Sequence, residues 1–177
     1  MLEHDELLKR HRKKPIATLE DFEHRVEYGL DDIKKLIPHR EPFLLIDKIL
    51  ALDYEKGIII GSRKISADDA VFAGHFPDYK IYPGVLEIEM IGQLGLCLHY
   101  FVKNETNELA EDAKPEPVRA TKVLGAYFLE PVVPDDEVII IAKKLFYMEI
   151  FGTIIGQVIV KNKVSCVSIG EVIFLDE

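Results

Sequence analysis

The chain has 177 residues, 48% hydrophobic and 30% charged, enough for one domain with a substantial core and no disulfide or metal staple. With 31 acidic residues against 22 basic ones, its net charge of −9 argues against general affinity for nucleic acid or anionic membranes. Cys97 and Cys166 form no CxxC or Cys/His pair and read as small buried hydrophobes, as suits a reducing compartment.

Residues 1–25 read as a charged N-terminal appendage, a solvated helix followed by a linker around Pro15, with residues 26–177 as the folded domain. The opening MLEHDELLKRHRKK lacks the apolar core of a secretory signal. Leu30 to Ile37 is a short helix stopped by Pro38. FLLIDKILALD from Phe43 and GIIIGSRKI from Gly57 are β-branched strands with a turn between them. Ser66 to Tyr82 is loop with one turn of helix at most. Pro83-Gly84 opens the strongest helix, running to about Val102; a proline suits a helix start, where its missing N–H would have no intrahelical partner. This helix is apolar on every side and belongs in a core. It is too polar to span a membrane, and no apolar run reaches the roughly 18 residues a membrane helix needs. The expectation is a soluble, cytoplasmic protein without membrane insertion. Lys103 to Arg119 is a polar loop, and the strands Ala120–Leu129, Glu137–Tyr147, Phe151–Val160 and Val164–Phe174 follow. One buried helix and a run of antiparallel strands make an α+β pattern, satisfied by a sheet wrapped around the helix.

Two segments hold the residues suited to chemistry, PHREPFLLID (Pro38 to Asp47) and GHFPDYKIYPGVLEIEMIGQ (Gly74 to Gln93). His75 is a candidate general base, because imidazole titrates near neutrality. Gly84 puts a backbone N–H at a helix N-terminus, the positive end of the helix dipole. Glu87 and Glu89 lie about 160° apart around the helix, and both sides are apolar, so periodicity does not choose between them. Gln93 stands four residues after Glu89, close enough to orient a carboxyl. His39 reads as a structural residue of the turn before the strand. His4, His11, His24 and His99 have no ligand-like spacing, so no metal site is expected.

The two segments, with FLEPVVPDDEV from Phe128, resemble the 3-hydroxyacyl-acyl-carrier-protein dehydratases of bacterial type II fatty-acid synthesis, the FabZ type. That family carries P-H-R-x-P-F-L-L-x-D, then G-H-F-P-G, then P-G-V-L with a glutamate and a glutamine in the helix. The resemblance spans about Leu30 to Phe174 and implies a hot-dog fold. Its implied activity is reversible dehydration to trans-2-enoyl thioesters, with no cofactor. Its glutamate falls 14 residues after the motif histidine, which selects Glu89. In the implied roles His75 takes the C2 proton, while Glu89 protonates or hydrogen-bonds the leaving hydroxyl from apolar surroundings that raise its pKa. Gly84 receives the thioester oxygen, with Val85 and Phe76 as further substrate contacts. Glu87, where the family has an apolar residue, is expected to be exposed near the helix start. Phe43, Phe76, Tyr82 and Tyr100 either line an acyl channel or fill the core.

The resemblance also implies a dimer with His75 of one subunit facing Glu89 of the other, and trimers of such dimers. Asp78, Lys80, Glu130 and Asp135 depart from its pattern, and Glu130 removes a basic residue from the expected docking surface. The implied carrier is acyl carrier protein, with coenzyme A as the alternative. The rival readings are a hot-dog thioesterase and a non-catalytic acyl-binding or scaffold subunit.

Overall fold

The computed structural model describes residues 2–23, 25–148 and 150–175. His24, one of the histidines considered above, lies outside the described residues. The elements are α1 (Leu2–Arg10), β1 (Arg25–Tyr28), α2 (Leu30–Leu36), β2 (Lys48–Asp53), β3 (Ile58–Lys64), α3 (Val71–Gly74), α4 (Gly84–Lys103), β4 (Val118–Phe128), β5 (Glu137–Tyr147), β6 (Phe151–Val160) and β7 (Lys163–Phe174). The strands form one antiparallel sheet in the order β1-β2-β3-β5-β6-β7-β4. The α+β architecture expected from the sequence is the one observed. β1 is the strand the sequence reading lacks: four residues with a half-exposed alternation carry little periodic signal.

The core lies between the sheet and α4. Met90, Ile91, Leu94, Cys97, Leu98 and Phe101 of α4 pack with Ile59, Val138, Ile140, Val158 and Cys166 of the sheet. At Gly156 of β6 a Cβ would come within 2.3 Å of Ile91 and 2.6 Å of the Ile141 carbonyl, so helix and sheet meet at a distance only glycine allows. By length and composition α4 is apolar enough to cross a bilayer, contrary to the sequence expectation, but half of that stretch is buried inside the fold. It is the central helix.

The N-terminal segment covers the opposite face of the sheet. Leu8 and Ala17 are buried there with Ile58, Ile60, Ile141, Ile155, Val167 and Ile169. The expectation of a solvated helix is corrected on that face. The anchor is Gln157, fully buried on β6, whose Oε1 accepts from the Ile16 N–H at 2.7 Å. Its Nε2 donates to the carbonyls of His11 at 2.5 Å and Lys14 at 3.0 Å. β6 is therefore buried on both faces, which explains its near-continuous apolar sequence.

Candidate active site

PHREPFLLID does not stay local. Arg40 donates to the carbonyls of Ile37 at 2.9 Å and Lys34 at 3.1 Å, closing the carboxyl end of α2. Gln93 ties the following residues to α4: its Oε1 accepts from the Leu45 N–H at 2.8 Å, and its Nε2 donates to the Phe43 carbonyl at 2.8 Å. The same Nε2 reaches Glu89 Oε1 at 3.0 Å. Gln93 is thus the orienting neighbour the sequence reading expected, and it also docks the first motif on the helix.

His39 Nε2 lies 3.4 Å from Glu89 Oε1, and its ring stacks on Phe43 with centroids 6.4 Å apart. The turn-shaping role read for His39 is incomplete, because the residue also touches the candidate carboxylate. No local signal gives this contact, which closes across 50 residues of chain. It also changes the electrostatics. The hydrogen bond from His39 outweighs the effect of burial, and with Gln93 it holds the Glu89 carboxyl below its ordinary range. The raised pKa expected for Glu89 is corrected.

Glu87 reverses its expectation too. It is 4% exposed, its Oε2 has no hydrogen-bond partner, and burial pushes its pKa up to about 7. The side of α4 that carries it faces the sheet, which helix angle alone does not reveal.

His75 caps the short helix α3, its own N–H donating to the Val71 carbonyl at 2.9 Å. Its Nδ1 is 2.9 Å from the Ile81 carbonyl. A carbonyl only accepts, so Nδ1 carries a proton, and in the neutral ring Nε2 is the nitrogen left to act as a base. Phe76 beside it is exposed and has φ 53°, a strained conformation for a bulky residue that turns the loop sharply. Gly84 is the first residue of α4, and a Cβ there would come within 2.6 Å of the Phe128 ring. Val85, exposed, lies one turn before Glu89. Within one chain no hydrogen bond or ion pair joins His75 to Glu89 among the described residues.

Glu89 opens onto a cavity of about 120 Å³ between α4 and strands β4, β6 and β7. Phe43, Phe76, Tyr82 and Tyr100 do not line it; Tyr147 and Phe174 are its aromatic walls. Tyr82 is buried in the core. Of the departures in the motifs, Asp135 has φ 68°, the left-handed conformation in which glycine costs least. Glu130 pairs with Lys163 at 3.4 Å.

The FabA-like domain model matches residues 37–171. The 3-hydroxyacyl-[acyl-carrier-protein] dehydratase FabZ of Campylobacter jejuni (strain RM1221) is 44% identical over 104 residues, 59% of this chain and 68% of its own. That of Chlamydia muridarum is 33% identical over 151 residues, 83% of this chain and 91% of its own. The chain belongs to the FabA-like family and is of the FabZ type. Solved structures of similar fold include the dehydratase heterocomplex ApeI:P from Xenorhabdus doucetiae, with a TM-score of 0.63 and 16% identity over 82% of this chain and 91% of that one. A thioesterase of Haemophilus influenzae gives 0.52 and 16% over 73% and 78%. At these identities they speak to the fold alone, which is the hot-dog fold for this FabZ-type chain as well.

Proposed function

We propose that this FabZ-type chain dehydrates 3-hydroxyacyl thioesters, carried on acyl carrier protein, to trans-2-enoyl thioesters in fatty-acid synthesis. One observation carries the reading beyond family membership: the first motif and α4 converge on Glu89, holding an oriented carboxylate at the edge of a mostly apolar cavity. His75 Nε2 takes the C2 proton, and the electron pair moves into the thioester carbonyl, whose oxygen is received by the Gly84 N–H. The pair then returns from the carbonyl oxygen to form the C2–C3 double bond as the C3–O bond breaks, its own pair leaving with the oxygen. Glu89, ionised, holds the C3 hydroxyl by accepting its hydrogen bond. The proton gained by His75 leaves with the departing oxygen as water, and His75 returns to its neutral form. Val85 and Phe76 flank the thioester.

Two copies complete the site, His75 of one facing Glu89 of the other. The free outer edge of β4 and the exposed Val123 and Phe128 on that strand support such pairing. Trimers of these dimers are the further assembly that family resemblance implies. The two free, buried cysteines suit a reducing cytoplasm.

The test is enoyl absorbance from 3-hydroxyacyl substrates on both carriers. Turnover is expected, faster on acyl carrier protein than on coenzyme A. A folded protein inactive on both would sink the reading. His75→Ala and Glu89→Gln should each lower kcat by at least about a hundredfold with melting temperature nearly unchanged. If Glu87→Gln were the inactivating change instead, the assignment of Glu89 would be wrong.

A further inference from the structure

We propose that Tyr147 is the floor of the acyl channel and sets the longest acyl chain accepted, a reading that rests on the dehydratase assignment. The cavity beside Glu89 is lined by α4 from Ile88 to Leu96, so it runs with the helix for about two turns. Tyr147 closes it at the level of Gly95, where its hydroxyl donates to the Gly95 carbonyl at 3.1 Å. The ring is braced behind. Phe174 meets it edge-on at 6.3 Å, and His99 stacks on Phe174 at 3.6 Å. Across the strand pair, a Cβ at Gly152 would come within 2.7 Å of the Tyr147 ring.

Space does not end at these rings. A second hollow of about 430 Å³ shares Tyr147 and Phe174 as walls and adds the apolar Val102, Met148 and Leu175 together with the polar His99, Lys103 and Glu116. The aromatic pair is therefore a partition between two cavities. From Glu89 to Gly95 α4 rises about 9 Å, and an extended alkyl chain with C–C bonds near 1.5 Å advances roughly 1.3 Å per carbon. Roughly seven carbons beyond C3 fit before the ring, an acyl chain of about ten.

Gly92 gives an independent view of the same channel. It lines the cavity, yet a Cβ there would meet nothing within 4 Å. The open space over Gly92 is the path of the chain, so a side chain at this position would shorten it.

The experiment measures calorimetric Kd for saturated acyl-pantetheine thioesters of six to sixteen carbons, which carry no hydroxyl to eliminate. For the wild type, affinity should rise by about fourfold per methylene up to about ten carbons and then fall. Tyr147→Ala should keep rising into the longer chains. Gly92→Leu, which leaves no void and favours the helix, should turn over at a shorter length. Tyr147→Phe keeps the ring and should keep the wild-type turning point. One turning point common to the wild type and Gly92→Leu overturns the proposal even if Tyr147→Ala does not fold. Enoyl formation from a six-carbon 3-hydroxyacyl thioester, measured on the same wild-type sample, separates the two readings. No turnover with an intact length profile refutes the dehydratase alone; turnover with a flat profile refutes the floor alone.

Discussion

Glu87 and Glu89 are two residues apart and are driven in opposite directions by their surroundings. Burial disfavours the charged form of Glu87, whose Oε2 finds no partner. The folded chain therefore binds that proton more tightly than the unfolded chain does, with a pKa near 7 against an ordinary 4.5. Below the unfolded value both states are protonated and nothing is lost. Between the two values the unfolded chain ionises first, and stability falls; above the folded value the cost is constant, roughly 3 kcal/mol. Glu87→Gln should accordingly leave urea stability near pH 4 unchanged and raise it by about that amount near pH 8. At Glu89 the largest influence is His39, which favours the carboxylate. His39→Asn removes that contact, so the Glu89 pKa rises and the acidic limb of the kcat profile should move to higher pH. A limb that stays in place would reduce His39 to packing against Phe43.

Among the elements, β6 does the most to organise the fold. On one face Gly156 admits α4; on the other Gln157 gathers the backbone of residues 11–16. Gly156→Ala would drive a methyl into Ile91 and a backbone carbonyl, and overpacking of this kind costs about 1–3 kcal/mol. Gln157→Leu suits the apolar face but strands the Ile16 N–H and two carbonyls, at about 1–3 kcal/mol for each group left buried. Limited proteolysis should then cut first between residues 10 and 18. Cleavage unchanged from the wild type would show that Leu8 and Ala17 hold the segment without the glutamine.

At the scale of the whole molecule, the proposed pairing of His75 of one copy with Glu89 of another would make association the condition of activity. Mixing His75→Ala with Glu89→Gln after dissociation tests this directly. A mixed dimer has one site with both native residues and one with neither. Random pairing makes half the dimers mixed, so activity should return to about a quarter of the wild-type value. If each site were built within one chain, mixing would restore nothing.

The candidate site was partly legible because its motifs are local. The offset between histidine and glutamate in the family it resembles selects Glu89, Gln93 follows one helical turn later, and Pro83-Gly84 announces the helix start. α4 and the strands from β2 onward follow from side-chain periodicity, which the backbone imposes within a few residues. What the sequence left open depends on approach across long stretches of chain. The contact of His39 with Glu89, the wall that Tyr147 and Phe174 make, and the hold of Gln157 on Ile16 each join residues dozens of positions apart. The two glutamates are the sharpest instance. Helix geometry places them on opposite apolar sides, and only the position of the sheet decides which is sealed from water and which reaches the cavity. Charge, burial and hydrogen bonding act through space, so the protonation of these groups was settled by the tertiary fold.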